Sequence, residues 1–260
     1  MNISDPAFHL VAPLLLAENE VQLWRLDLEA LAAGEDRWYK LLAADEQDRA
    51  MRFRFKRIRQ QFVATHAVLR ILLAGYLRTE PNTLTFFHSA KNKPALGPPY
   101  ADSGISFNVA HSGGVALLAF VRRRKIGVDV EQIRRDLDFV AIHRFFAPHE
   151  QNQLAAVPAD ERLEAFFRCW TRKEAYIKAK GEGLSLPLDQ FDVSLAARDT
   201  NALLSTRPDG SEAALWSLRE VSAGPGYVAA LCVAGHDWSL RCPSNGPEDF
   251  EGSRQQYWSY

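Results

Sequence analysis

The sequence predicts an α+β fold, and three observations support this prediction. Apolar residues recur at helical spacing over residues 60–77, ahead of Pro81, which predicts one long helix. Residues 105–109 and 115–121 flank a Gly-containing turn at residues 112–114, which is the pattern of a β-hairpin. With 47% hydrophobic and 24% charged residues in a chain of 260, the composition is that of a globular protein with one large domain or two small ones.

The remaining elements follow in order from the same rules. Strands are predicted over residues 21–28, 83–87, 127–131, 191–195, 214–221 and 227–233. Helices are predicted from an acidic first turn at residues 45–48 and over residues 139–146, 148–155 and 160–180. The chain becomes polar and irregular from His236 onward, so residues 236–260 are predicted to form a loose tail. No internal repeat is apparent among the residues.

The start of the chain and its composition favour a cytoplasmic protein. Residues 1–5 carry no basic segment and residues 10–17 are interrupted by Pro13, so neither a signal peptide nor a membrane span is expected. The formal net charge of -1 gives no overall attraction to nucleic acid or anionic lipid, and neither partner is expected. An odd number of cysteines without metal-ligand spacing argues against a disulfide framework and a zinc site: Cys169, Cys232 and Cys242.

Two carboxylates share one face of the strand predicted over residues 127–131. Side chains alternate faces along a strand, so Asp129 and Glu131 point the same way. Val128 and Val130 pack behind them. Taken alone, such a pair is more often a solvated strand face than a functional site.

A second motif runs from Trp170 to Lys178 and is predicted to be helical. Trp170, Glu174 and Lys178 are spaced four residues apart and lie along one stripe of the helix. Glu174 and Lys178 alone would form an ordinary helix salt bridge. Together with Asp129 and Glu131, however, Glu174 completes a set of three hard oxygen ligands, which suits Mg²⁺ and a substrate phosphate. The hypothesis from these residues is Mg²⁺-dependent phosphate chemistry.

The two motifs together resemble the signature of the larger, Sfp-type class of 4'-phosphopantetheinyl transferases. The family pattern is G-[VI]-D-[VI]-E followed by F-x-x-x-W-[ST]-x-K-E-[AS]-[FY]-x-K, and its counterparts here are residues 127–131 and 166–178. The resemblance covers roughly residues 45–235. Further similar blocks are residues 92–96, 106–112 and 181–188.

This resemblance implies a 4'-phosphopantetheinyl transferase fold of two similar α/β halves, related by a pseudo-twofold axis with the active site between them. The expected domains are residues 1–125 for the N-terminal half and residues 126–235 for the C-terminal half with the metal-site motifs, followed by the tail, residues 236–260. A monomer is expected, because one chain supplies both sides of the site.

The resemblance also implies roles for four residues of the two motifs. Asp129, Glu131 and Glu174 match the metal ligands of the family, and Lys178 matches the lysine that contacts the phosphates of coenzyme A (CoA) and supports the leaving phosphate. The proposed base is Glu174, acting directly or through a metal-bound water, and Glu131 is an equal alternative.

Three further residues are expected to contact CoA. His111 and Lys93 resemble family residues at the phosphates, although a solvated loop position is an alternative for Lys93. Arg59 is chosen for the 3'-phosphate from a run of alternating aromatic and basic residues, 52–59, where the match is loose. Ala110 replaces the serine of the family block, so a hydroxyl contact from that position is absent.

The implied reaction transfers the 4'-phosphopantetheine arm of CoA to a serine of an apo acyl or peptidyl carrier protein, with Mg²⁺, and releases adenosine 3',5'-bisphosphate. The carrier is expected to dock along residues 175–188. Two alternatives stay open at this point: a Mg²⁺-dependent phosphodiesterase or nuclease, and a catalytically silent module that binds CoA or the carrier protein.

Overall fold

Two long helices, each packed on its own β-sheet, organise the chain. The computed structural model describes residues 14–89, 91, 93–136, 142 and 144–243, without the side chain of Leu184. The strands are β1 (Glu20–Asp27), β2 (Phe86–His88), β3 (Pro94–Leu96), β4 (Ile105–Ser112), β5 (Val115–Arg122), β6 (Ile126–Gln132), β7 (Phe191–Val193), β8 (Leu203–Thr206), β9 (Trp216–Glu220), β10 (Tyr227–Ala234) and β11 (Ser239–Arg241). The helices are α1 (Leu28–Ala32), α2 (Glu35–Tyr39), α3 (Ala44–Met51), α4 (Lys56–Leu77), α5 (Pro148–Ala156) and α6 (Arg162–Lys180), with 3₁₀ turns at Pro81–Thr83, Gly183–Ser185, Leu188–Gln190 and Gly210–Leu215.

The described strands form two main sheets. One has the order β11-β1-β5-β4 and the other β6-β10-β9, and two short hairpins pair β2 with β3 and β7 with β8. All pairs are antiparallel except β1 with β11. Strand β6 is therefore an edge strand of its sheet, and this edge faces β4 of the other half, as the side-chain contacts described below show.

The molecule is layered as helix, sheet, sheet and helix. In β5, Ala116, Leu118 and Phe120 pack in the cluster that includes α4, while the alternate residues face the other sheet. Val128 and Val130 of β6 lie in that second, inter-sheet cluster, as the alternation along the strand predicts. A third cluster joins α6 to the opposite face of β10. Asp129 and Glu131 therefore project from the α6 side of their sheet.

Most predicted elements are confirmed, and the differences have physical causes. The strand predicted over residues 83–87 begins only at Phe86, because a 3₁₀ turn that starts with Pro81 precedes it. The strand predicted from residue 214 likewise begins at Trp216, after another 3₁₀ turn. Part of the helix predicted over residues 139–146, together with residue 92 and the tail beyond residue 243, lies outside the described residues.

The prediction of a loose structure from His236 onward is wrong for Ser239–Arg241. These residues form β11, which pairs in parallel with β1 at the free edge of the N-terminal sheet. Just before it, Trp238 is buried among residues of the inter-sheet cluster. The chain therefore returns to the N-terminal half after completing the C-terminal sheet.

The structure reveals an internal repeat that the sequence analysis missed. Glu46, the third residue of α3, accepts a hydrogen bond from the amide of Ala43 at 3.0 Å. Glu150, the third residue of α5, accepts one from the amide of Ala147 at the same distance. Both helices thus begin with the sequence A-x-x-E-Q, in which a glutamate side chain satisfies an amide that precedes the helix.

Each repeated glutamate pairs with a buried cation on the long helix of its half. Arg70 Nε of α4 lies 2.5 Å from Glu46, and Lys173 Nζ of α6 lies 2.8 Å from Glu150. Both cations also donate hydrogen bonds to two backbone carbonyls: Pro81 and Leu84 for the arginine, Leu188 and Phe191 for the lysine. The two halves are therefore built around the same ion-pair device.

Within the described part of the chain, no helix is both long enough and apolar enough to cross a membrane.

Candidate active site

Strand β6 and helix α6 come into direct backbone contact at Gly127. A Cβ atom at this position would lie 2.1 Å from the carbonyl oxygen of Ala175 and 2.4 Å from the amide nitrogen of Ala179. Only glycine fits there without moving the helix off the sheet. The glycine that opens the first motif therefore lets the two motifs meet.

Asp129 and Lys178 form a largely buried ion pair where the motifs meet. Lys178 Nζ lies 2.6 Å from Asp129 Oδ1, and the Asp129 side chain is only 8% exposed. The pKa of Asp129 is raised to about 7: burial is the largest cause, the charges of Glu131 and Glu174 add to it, and Lys178 opposes it. Three carboxylates are thus close enough to influence one another, and their mutual repulsion favours a cation between them.

The second oxygen of Asp129, Oδ2, is buried and has no hydrogen-bond partner in the described part of the chain. A buried carboxylate oxygen without a partner is costly, and a metal ion would satisfy it. Among the described residues, no three acidic, histidine or cysteine side chains are gathered closely enough to hold a metal ion as they stand. The hard oxygen donors and the unpaired Oδ2 fit Mg²⁺, and Glu131 and Glu174 are the ligands that would have to close on it.

The predicted stripe along α6 is confirmed. Trp170, Glu174 and Lys178 are half-buried, in a helix where most neighbouring residues are fully buried. Burial raises the pKa of Glu174, and Lys178 opposes this shift. Trp170 packs against Phe166 and Phe146 at the edge of the C-terminal core. The tryptophan therefore supports the helix, while the other two face the β6 carboxylates.

The three residues predicted to contact CoA differ in their surroundings. His111 is exposed, yet enough protein surrounds it that desolvation lowers its pKa, and the charge of Lys178 adds to this effect. Lys93 donates hydrogen bonds to the carbonyls of Ile126, at 2.8 Å, and Lys178, at 2.6 Å, and burial lowers its pKa to about 8. It therefore ties the N-terminal half to the start of β6 and to the second motif.

Arg59 and Glu150 already have protein partners. Arg59 Nε lies 2.7 Å from Glu35 at the start of α2. The sequence leaves two interpretations of Glu150: it resembles a family carboxylate near the cofactor, or it is an exposed helix residue. The second interpretation is wrong. Its side chain is fully buried against Lys173, because it caps α5 and accepts a hydrogen bond from the amide of Val193.

Two residues of the block at 106–112 hold the edge of β6, and the sequence analysis gave them no role. Asn108 accepts a hydrogen bond from the amide of Val128 at 2.8 Å. Ser112 accepts one from the amide of Gln132 at 3.1 Å, and its hydroxyl donates to Glu131 at 2.6 Å. Ala110, on the same face between them, packs in the inter-sheet cluster. The four-residue spacing of these polar side chains on one strand face is the signal that could have identified them.

Comparisons with known proteins identify the family of this chain. A family model described as the 4'-phosphopantetheinyl transferase superfamily matches residues 125–232, and a model of the N-terminal region of 4'-phosphopantetheinyl transferases matches residues 34–122. The chain is 38% identical over 226 residues to the 4'-phosphopantetheinyl transferase HetI of Nostoc sp., across 86% of this chain and 92% of HetI. It is 31% identical over 213 residues to a 4'-phosphopantetheinyl transferase of Bacillus subtilis, across 82% and 91% of the two chains, and 28% identical over 203 residues to Sfp of Bacillus subtilis strain 168, across 78% and 87%.

Taken together, the α+β fold, the family models and these relatives define an enzyme of phosphopantetheine transfer. The chain belongs to the 4'-phosphopantetheinyl transferase superfamily, within its Sfp-type class. Its activity is the transfer of phosphopantetheine to carrier proteins.

Proposed function

We propose that this enzyme uses Mg²⁺ and CoA to modify a serine of an apo acyl or peptidyl carrier protein, as a monomer. The observation that carries the proposal is the pairing of Asp129 with Lys178, beside Glu131 and Glu174, at the junction of β6 and α6. The serine oxygen forms a bond to the phosphorus that carries pantetheine. The bond between that phosphorus and the bridging oxygen breaks, which releases adenosine 3',5'-bisphosphate.

The protein must offset the negative charge of the CoA pyrophosphate before an oxygen nucleophile can approach. Asp129, Glu131 and Glu174 would hold Mg²⁺, which supplies Lewis-acid neutralisation of the phosphate oxygens. Lys178 would stabilise the leaving phosphate with its ammonium group. The serine proton would go to Glu174 or Glu131, whichever carboxylate faces the hydroxyl.

His111, Lys93 and Arg59 remain our proposal for binding the phosphates of CoA. His111 has no hydrogen-bond partner in the described residues and is exposed, so a ligand could reach it. To bind a phosphate, Lys93 would have to give up or share its hydrogen bonds to the carbonyls of Ile126 and Lys178. Arg59 would have to give up or share its ion pair with Glu35. Exchange at Arg59 is the easier of the two, because a partly exposed ion pair contributes little.

The carrier would dock on a groove of about 430 Å³ near the end of the expected docking region. Its rim includes Phe145, which is 55% exposed, and Arg144, whose guanidinium lies 4.9 Å from that ring. Both apolar and polar side chains line it: Phe146, Pro148, Gln151, Leu186, Pro187, Leu188 and Asp189. An exposed aromatic ring within such a groove suits an amphipathic helix of a carrier protein. Lys173 fixes one wall through its hydrogen bond to the Leu188 carbonyl.

Intact-mass spectrometry of an apo acyl carrier protein tests the proposal. Incubation with the enzyme, CoA and Mg²⁺ should add the mass of one phosphopantetheine to the carrier, and EDTA should prevent it.

Asp129→Ala should abolish transfer while leaving folding intact. Lys178→Ala should retain CoA binding and slow turnover on the order of 10²- to 10³-fold. Glu164→Ala is the matched control, because this carboxylate of α6 is 55% exposed and should be replaceable without loss.

Four results would contradict parts of the proposal. Full activity of Asp129→Ala would overturn the metal site, and unchanged turnover of Lys178→Ala would remove this lysine from the reaction. Carrier binding without a mass gain, for several carriers, would indicate a silent binding module. Degradation of DNA by the protein would instead indicate the phosphodiester alternative.

A further inference from the structure

The outer edge of β6 is held by side chains of the opposite half rather than by another strand. Asn108 and Ser112, four residues apart on β4, accept hydrogen bonds from the amides of Val128 and Gln132. These contacts satisfy backbone donors that an edge strand would otherwise leave to water. The two side chains therefore carry out the same structural task at two points of one strand.

Ser112 differs from Asn108 because it also holds a carboxylate of the site. An amide can only donate, so the Ser112 hydroxyl oxygen accepts from Gln132 and its proton remains for another acceptor. That acceptor is Glu131 Oε2, at 2.6 Å. The amide thereby fixes the direction of the hydroxyl, and the hydroxyl fixes one oxygen of the carboxylate. A hydroxyl donor to a carboxylate forms a strong, charge-assisted hydrogen bond.

We propose that Ser112 is a positioning residue through which the N-terminal half orients Glu131 toward the metal ion. With Oε2 held by the serine, the other oxygen of Glu131 is left to bind the metal ion together with Asp129 and Glu174. Hydrogen bonds to metal-ligating carboxylates commonly set their orientation in this way. The inference rests on the proposed metal site, and it adds a residue of the N-terminal half to that site.

Metal binding without turnover tests this role. Mn²⁺ is titrated into the protein with CoA present and no carrier protein, and the electron paramagnetic resonance signal of free Mn²⁺ reports the bound fraction. Ser112→Ala should weaken Mn²⁺ binding by about 10-fold or more. Ser112→Thr keeps the hydroxyl and should restore binding close to that of the unmodified enzyme. Asn108→Ala is the matched control, since it removes the equivalent contact with β6 and does not touch Glu131.

The thermal unfolding midpoint of each variant separates orientation from stability. We expect Asn108→Ala to lower the midpoint at least as much as Ser112→Ala, with Mn²⁺ affinity unchanged below the transition. Equal Mn²⁺ affinity of Ser112→Ala and the unmodified enzyme would overturn the inference alone. An equal loss of affinity in Asn108→Ala would overturn it as well, because the effect would then come from the strand edge. Absence of Mn²⁺ binding by the unmodified enzyme would overturn the metal site and, with it, this inference.

Discussion

The N-terminal and C-terminal halves use the same ion-pair device for different ends. In each half a glutamate at the start of a short helix pairs with a buried cation on the long helix, Glu46 with Arg70 and Glu150 with Lys173. Both cations also donate hydrogen bonds to backbone carbonyls of the segment that follows the long helix. The device fixes where a long helix lies on its sheet, and it requires no ligand.

The halves diverge in the residues that follow the buried cation. In α6, Glu174 directly follows Lys173, and Lys178 lies five residues after Lys173. The corresponding positions after the arginine in α4 are Ile71 and Gly75. Ile71 packs against the N-terminal core. The comparison teaches that the scaffold is repeated, while the charged groups proposed for chemistry are confined to one copy.

The largest expected effect tests whether the two ion pairs are equivalent. Lys173→Met leaves Glu150 buried without its charge partner, which should lower the free energy of unfolding by about 3–5 kcal/mol. Arg70→Met should lower it less, because Glu46 keeps a second partner, His66, at 2.8 Å. Urea unfolding monitored by circular dichroism measures both values.

Arg57→Met is the matched control for these two variants. Arg57 pairs with Glu29, and the two side chains are 65% and 70% exposed, so loss of this ion pair should change stability little. If Lys173→Met unfolds at the same urea concentration as Arg57→Met, the buried pair of the C-terminal half contributes nothing, and the proposed equivalence fails.

A smaller but specific effect is expected at the contact between β6 and α6. Gly127→Ala introduces a Cβ against the backbone of Ala175 and Ala179, so α6 must shift and carry Glu174 and Lys178 with it. A displacement near 1 Å should slow phosphopantetheine transfer by about 10²-fold.

Gly210→Ala provides the control for this substitution, because nothing lies within 4 Å of a Cβ there. Holo-carrier formation is followed by mass spectrometry below the unfolding transition of both variants. Equal rates for Gly127→Ala and Gly210→Ala would show that the close approach does not position the reacting groups.

The two glutamates should also differ, by a smaller amount, in how they make stability depend on pH. Burial raises the pKa of Glu150, whereas at Glu46 burial is outweighed by the hydrogen bond with His66 and the charge of Arg70, so the pKa falls below 4.5. A lowered native pKa gives stability that is present above pH 4.5 and is lost as the pH falls through the native value. A raised native pKa gives the opposite trend, with stability decreasing as the pH rises from 4.5.

Glu46→Gln should therefore approach the unmodified protein in stability as the pH is lowered toward 4. The difference in stability between Glu150→Gln and the unmodified protein should instead grow over the same interval. Chemical unfolding at several pH values between 4 and 7 measures both differences. Parallel pH dependence of the two variants would show that the environments of these glutamates are alike.

The sequence predicted the parts of the fold and site that depend on local pattern. The alternation in residues 127–131 and the four-residue spacing of Trp170, Glu174 and Lys178 directly describe strand and helix faces, and both are observed. Gly127 opens the family pattern, but the physical reason for a glycine there, the close approach of the β6 backbone to α6, is visible only in the folded structure.

Features that join distant parts of the chain could not be predicted in this way. The repeat of A-x-x-E-Q is too short to notice, and its paired cations are an arginine in one half and a lysine in the other. Strand β11 has three exposed residues without an apolar pattern, and it forms because β1 offers a free edge. The contact between Ser112 and Glu131 likewise depends on how β4 lies along β6.

The two halves share a scaffold, and we propose that only the C-terminal copy carries the reacting carboxylate. The direct test compares Glu174→Gln with Glu46→Gln by intact-mass measurement of initial rates on an apo carrier protein, at a temperature where both are folded. Glu174→Gln should lose activity on the order of 10²-fold or more with little change in stability, whereas Glu46→Gln should lose stability and keep its rate. Transfer by Glu174→Gln at the rate of the unmodified enzyme, or its loss in folded Glu46→Gln, would contradict the account.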